Sequence, residues 1–510
     1  MFKMLACLFL LLLLAVACHS AKPDGDETDG NQGGHESREI PDAAEGSEPD
    51  NVPPAAFYND YHVTLEIDPE ARTVEGMARV VFTNRTGRSL SEIVMRTYLN
   101  AFSEGFRPPP YFPEHEQRVF RGGDVSHGHI RILYVSIDNA DLEYEHNGTV
   151  LALFLPEKLE PLGTVQITVQ FQAVVPQIAH LTGSNDKAMW FGMFLPMMAV
   201  YGDGGWHREE MFAAGSPFIL ETASFHVEVT APIAYTVVGT GLRSEETFED
   251  TGIKITTFTA QQVRDFAFAV SRYFSHSRIS TESGIDIHFY SFTDTISTDG
   301  VLAAAKESME RLEFLIGMFP FQHITIVEAD ISLDQASLSQ VIFMDSIPLR
   351  NQSFRGLSHA IGNQWLANIV GSNRIAYPWL TEGLTRFVMA RALGASDEYV
   401  LDFVRETHES IAEQTNLRLN LRLHEFESWR HYALTHGRKG MSMAFSLYNT
   451  MGQDAFWQLM NDYFHAFSFG MATGGDFMRL AESAHGESLE AFFDKWFRDG
   501  SVPQLYIGGE

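Results

Sequence analysis

His359-Ala360-Ile361-Gly362-Asn363-Gln364-Trp365-Leu366-Ala367-Asn368-Ile369-Val370-Gly371, with Trp379-Leu380-Thr381-Glu382-Gly383 close behind, decides how this chain is read. On a helix, residues four apart share one face, so His359 and Asn363 project together. Two histidines at that spacing clasp a metal. Here the second position is an asparagine, whose neutral amide is a poor zinc donor. The residue after His359 is Ala360, which cannot move a proton. Glu382 and Arg386 repeat the four-residue spacing on the next predicted helix, where a local ion pair neutralises the carboxylate without metal.

The flanking periodicities give the layout. Upstream, Tyr61, Val63, Leu65 and Ile67 alternate with polar neighbours. So do Val165, Ile167, Val169, Phe171 and Ala173, and then Phe225, Val227 and Val229. A period of two marks half-buried antiparallel strands, so roughly 56–275 reads as β-rich. After about 300 the period changes. Leu302, Ala305, Met309, Leu312, Leu315 and Ile316 fall at helical spacing, and helical patterns run on to about 497. Ile324-Thr325-Ile326-Val327 is the one strand signal in that half. The predicted fold class is α+β: an antiparallel β domain, 56–278, followed by a mainly helical domain, 279–507.

With this layout the quoted stretches become recognisable. His359–Gly371 resembles the zinc-site helix of the aminopeptidase N-like metallopeptidases, a gluzincin family whose usual form is H-E-x-x-H-Q-W-x-x-N-x-V. Trp379–Gly383 is similar to its next element, W-L-x-E-G, and Glu382 follows Asn363 at the family's spacing between second histidine and third zinc ligand. Tyr201–His207, Val263–Ala269 and Phe492–Phe497 also look like its bacterial members. The resemblance implies a saddle-like β domain, a thermolysin-like helical domain, and zinc-dependent removal of N-terminal residues from peptides.

The same resemblance implies that the chemistry is dismantled. Zinc hydrolysis needs three protein ligands, an open water position and a base. His359 and Glu382 survive as metal positions, with Asn363 at the remaining ligand position and Ala360 at the base position. Loss of a general base lowers rate by roughly 10²- to 10⁴-fold. The family's amine-binding glutamate corresponds to Ser337, within Asp334-Gln335-Ala336-Ser337-Leu338-Ser339. Its transition-state tyrosine corresponds to Gly437, in Gly437-Arg438-Lys439-Gly440. The expected ligand set therefore holds zinc weakly or not at all, and no residue is assigned a catalytic role. A purely structural reading stands beside this one, with Glu382 paired to Arg386 and His359 hydrogen-bonded to Glu382. Trp365, Asn368 and Trp379 read as scaffold positions that preserve a cleft.

Composition narrows the partners. With 36 Lys+Arg against 66 Asp+Glu in 510 residues, the net charge of -30 repels phosphates and excludes nucleic acid. Two cysteines cannot build a disulfide framework. Lys3 and the apolar run Leu5–Val16 read as a signal-peptide core, and Ala15-Val16-Ala17-Cys18 resembles the lipobox of bacterial lipoproteins, which implies a signal peptide over 1–17 with Cys18 the lipidated residue; an ordinary secretory signal cut near Ala17 is the alternative. Residues 18–55 read as an acidic, flexible tether, since ten acids face two bases and large apolar residues are scarce. The chain is thus expected in a bacterial envelope, anchored to membrane lipid. His19, where aspartate would retain the protein in the inner membrane, favours the outer one. Two functions remain open: a pseudopeptidase that binds peptides or proteins without hydrolysis, and a zinc aminopeptidase of weak or cryptic activity.

Overall fold

The strand Asn59–Asp68 buries Tyr61, Val63, Leu65 and Ile67 and exposes the alternate residues His62, Thr64, Glu66 and Asp68, as a sheet with one dry face requires. The structure, a computed structural model, describes residues 58–498 apart from 106–118, 120–125, 203, 210, 212–214 and 412–415. The expected signal peptide, Cys18 and the acidic stretch lie outside the described residues. Asn59–Asp68 pairs antiparallel with Thr73–Thr83 and, on its other edge, parallel with Ala223–Pro232. These strands lie within one eight-stranded sheet, and two four-stranded sheets accompany it. Their shared core is aromatic: Tyr61 stacks on Phe225 with centroids 4.6 Å apart, and Phe191 on Phe268 at 4.2 Å.

A five-stranded mixed sheet follows, in the order Ser275–Ser280, Asp286–Ser291, His323–Ala329, Val341–Asp345, Gln335–Leu338. Its two faces belong to different cores. Tyr290, Val327, Val341 and Phe343 pack with the upstream sheets. Ile287, Phe289, Ile326, Ile342 and Met344 pack with the helices. The sequence announces only the central strand of this sheet. Val341–Asp345 is buried at every residue, so it shows no alternation, and the expected helical run is interrupted there.

The helices cover that sheet. Thr298–Leu315 buries Val301, Leu302, Ala305, Met309 and Leu312 at helical spacing. Arg355–Asn363 continues into π-helical turns, Gln364–Ile369. Trp429–Tyr432 passes through a second π-helical segment, Ala433–Lys439, into Gly440–Met451. Trp379 sits edge-on to Phe477 and Phe497, at 5.6 and 4.9 Å, which gives the second quoted motif its scaffold role. Among the described residues no helix is long and apolar enough to cross a membrane.

One buried cation joins the β sheets to the helices. Arg264, 4% exposed, donates from Nε to the Asn368 carbonyl (2.9 Å) and from Nη1 to that of Leu220 (3.1 Å). Nη2 donates to Ile369 (2.9 Å) and to Gly470. A Cβ on Gly371 would stand 2.3 Å from the Arg264 Cζ, so glycine there makes room for the guanidinium.

Candidate functional site

The cleft is built where the edge strand Gln335–Leu338 runs beside the Arg355–Asn363 helix. Ser337 fixes that contact: its hydroxyl donates to the Ala360 carbonyl (2.8 Å) and accepts from Gln364 Nε2 (2.8 Å) and Asn368 Nδ2 (3.1 Å). A hydroxyl so engaged has no remaining hydrogen for a ligand. Ala360 itself is fully buried in the helical core.

The opposite wall depends on a close helix crossing. A Cβ on Gly383 would lie 2.4 Å from both the Cα and carbonyl carbon of Gly440 and 2.6 Å from the His436 carbonyl oxygen. Only glycine allows that approach, which brings Glu382 up to the segment carrying Tyr432 and Gly437. Between the walls is a cavity of about 510 Å³, lined among others by Ser337, His359, Asn363, Glu382, Arg386 and Tyr432.

His359 Nε2 lies 3.9 Å from Glu382 Oε2, too long for a hydrogen bond. Burial, reinforced by Arg386, holds the imidazole well below the usual histidine range, so it is neutral and the contact is not an ion pair. The expected His359–Glu382 hydrogen bond is therefore not formed. Arg386 Nη2 also stands 3.9 Å from Glu382 Oε2, in the expected i,i+4 pair but beyond hydrogen-bond reach. Burial raises the Glu382 carboxyl above its ordinary value; Arg386, the Tyr432 hydroxyl and Arg374 oppose that rise. His359 Nδ1 and Asn363 Oδ1 are buried without a hydrogen-bond partner.

Tyr432 is the residue the motif reading missed. The sequence pattern points to position 437, five residues later, where Gly437 stands. The helix nevertheless delivers the Tyr432 phenol to Glu382, and burial and that carboxylate push its hydroxyl well above the ordinary tyrosine value. The visible signal was a tyrosine one turn upstream of the glycine. Gly437 instead faces Arg386, whose Nε lies 3.5 Å from the place of a Cβ at 437. Arg374, also on the cavity wall, donates to Ser216 Oγ (2.9 Å), the Ala367 carbonyl (2.5 Å) and Asn368 Oδ1 (3.2 Å). Among the described residues no three His, Cys, Asp or Glu side chains are placed to hold a metal ion.

Comparison with known proteins places this geometry. Residues 340–496 match the model of the peptidase family M1 domain. The M1 zinc metallopeptidase of Deinococcus radiodurans is 15% identical, with 89% of this chain and 97% of that chain covered and a TM-score of 0.65. A mutant of it bound to the substrate Tyr-Ser-Ala is 14% identical over 88% of this chain and 96% of that one, TM-score 0.64. A two-domain M1 zinc metallopeptidase mutant bound to L-tryptophan is 14% identical with the same coverage, TM-score 0.63. No curated protein matches the chain. Residues 340–496 thus resemble the M1 peptidase domain, and the chain has the two-domain M1-like fold, an N-terminal β domain followed by a helical domain.

Proposed function

We propose that this protein is a lipid-anchored component of the bacterial envelope that uses an M1 peptidase cleft to bind peptides or protein segments without hydrolysing them. The observation that carries the proposal is the contrast between a retained cavity and a stripped donor set. About 510 Å³ is ample for a few residues of peptide, and its walls are held by Ser337, the Gly383–Gly440 crossing and Arg264. The residues facing it do not fit zinc. Two ionisable ligands remain, His359 and Glu382; the third position is the Asn363 amide. The His359 Nδ1, which in a metal site donates to a fixing acceptor, has none. Arg386 sets a permanent positive charge beside the carboxylate a cation would need. No base adjoins His359, because Ala360 takes that place inside the core.

A second reading, a weak zinc aminopeptidase, rests on one observation: His359 and Glu382 still face each other across the cleft at 3.9 Å. Metal-loaded full-length protein should carry sub-stoichiometric zinc by elemental analysis. It should give no chelator-sensitive turnover of amino-acid anilides or short peptides. Chelator-sensitive turnover of roughly 1 s⁻¹ or more would overturn the non-hydrolytic reading in favour of the second. Membrane attachment through Cys18 is tested separately, by loss of metabolic palmitate label in Cys18→Ser; an unlabelled wild type would remove the anchor from the proposal.

A further inference from the structure

We propose that the cleft recognises a carboxylate, with the Arg386 guanidinium as its anchoring group. The inference deepens the binding reading above and rests on it. Its first support is the direction of the side chain. Arg386 leaves the helix four residues after Glu382 and lines the cavity on the side where Gly437 has no side chain. An ordinary side chain at 437 would contend with the guanidinium for that space, since even a Cβ would touch Nε at 3.5 Å. The glycine at 437 and the inward arginine thus share one space.

The second support is that this guanidinium, though paired in charge with Glu382, has its hydrogen-bond donors uncommitted. Among the described residues it forms no hydrogen bond; its nearest carboxylate oxygen, Glu382 Oε2, is 3.9 Å away, and 49% of the side chain is exposed. The other arginine of the cleft floor behaves oppositely. Arg374 is consumed by Ser216, Ala367 and Asn368, so it serves as structure. A guanidinium presents its donors as a planar fork that matches a carboxylate bidentately. In a partly enclosed cleft that pairing is stronger than in water.

The third support is charge and polarity at the wall. Among the described residues, the arginines at 355, 374 and 386 line the cavity against the acids Asp334 and Glu382. The chain as a whole carries -30, so this cleft is a local reversal of sign. A carboxylate answers that sign and the free donors of Arg386. Such a carboxylate comes from a peptide C-terminus or from an acidic side chain.

The test is isothermal titration calorimetry of the full chain with four peptides. They are free Tyr-Ser-Ala, its N-acetylated form, its N-acetylated C-amide, and N-acetylated C-amidated Tyr-Ser-Asp. The acetylated acid should bind, and amidation should weaken it by about tenfold or more, the usual worth of a charge-assisted bond. Arg386→Gln should lose the same factor for the acid and nothing for the amide, and Arg386→Lys should regain part of it. Recovery of affinity by the C-amidated aspartyl peptide would support the same site and name the side chain as the source; its failure to recover would name the C-terminus. Unchanged affinity on amidation and in Arg386→Gln would overturn the carboxylate inference and leave the binding reading standing. Chelator-sensitive cleavage of the free peptide would overturn the non-hydrolytic reading, with the acid–amide comparison still deciding the carboxylate. No binding by any peptide would overturn both. Thermal melting of each variant confirms folding before titration.

Discussion

Alanine substitutions at Gly383, Gly440 and Gly437 form a series whose order follows from three distances. Replacing Gly383 sets a Cβ 2.4 Å from two backbone atoms of Gly440 and 2.6 Å from a third neighbour, the His436 carbonyl. Carbon atoms rest at about 3.5–4.0 Å, so two helix backbones must part by roughly 1 Å. Overpacking costs about 1–3 kcal/mol, and backbone neighbours that cannot rotate away put this variant at the upper end. The entropy gained by removing a glycine, about 0.4–1 kcal/mol, is too small to offset that. At Gly440 the closest atom is Gly383 Cα at 3.0 Å, so a few tenths of an ångström suffice and the net effect is close to neutral. At Gly437 the nearest atom belongs to the Arg386 side chain, at an ordinary 3.5 Å, and the segment is helical. Gly437→Ala should therefore stabilise by up to about 1 kcal/mol. Urea titration followed by circular dichroism, compared at constant m-value, gives the ranking. A Gly383→Ala protein with wild-type midpoint, or one more stable than Gly440→Ala, would refute the close-crossing account of the cleft wall.

Three further expectations concern other sites. Arg264→Met leaves carbonyls of Leu220, Asn368, Ile369 and Gly470 without that donor inside the core. At about 1–3 kcal/mol for each stranded acceptor, it should melt far below wild type, and a melting point within a few degrees would contradict the clamp. His288 is held at about 4, below the ordinary histidine value of 6.5, by burial and then by His276 and His323, with Asp286 opposing and Arg278 adding. Its folded form binds fewer protons than the unfolded chain in that window, so its stability contribution is full above pH 6.5 and is lost as pH falls toward 4. His288→Gln should flatten the melting temperature against pH between those values, and an unchanged slope would count against the assignment. Ala360→Glu and Asn363→His should each fail to produce chelator-sensitive turnover, because catalytic groups acting as a unit are non-additive. The double variant should bind zinc about 10- to 100-fold more weakly than a site with an anchored histidine, as read by metal titration; a fully active single variant would sink this reasoning.

Legibility in the sequence followed local periodicity. The strand Asn59–Asp68 was visible because one face meets solvent, and the Thr298–Leu315 helix because one stripe does. Val341–Asp345 was not, since burial on both faces erases alternation. The parallel pairing of Asn59–Asp68 with Ala223–Pro232 joins distant segments and leaves no local trace. In the site, spacing identified His359, Asn363, Glu382 and the Arg386 neighbour. Tyr432 escaped because pattern matching compares positions along the chain, whereas the π-helical segment Ala433–Lys439 changes the turn count between Tyr432 and the helix that follows. The commitment of Ser337 to the Ala360 carbonyl, and the freedom of Arg386, are facts of hydrogen bonding that spacing does not carry.

The Arg264 clamp has a kinetic meaning. Its four carbonyl partners come from segments around 220, 368 and 470, so any hinge between sheets and helices would have to break several buried charge-assisted bonds at once. Such an opening is rare on the timescale of ligand exchange. A ligand therefore enters a cleft whose walls are already in place, and association is governed by diffusion and orientation, in the range of about 10⁵–10⁷ M⁻¹s⁻¹ for partners that need no rearrangement. Residence time is then set at the contact surface itself, by how fast the guest's own bonds let go.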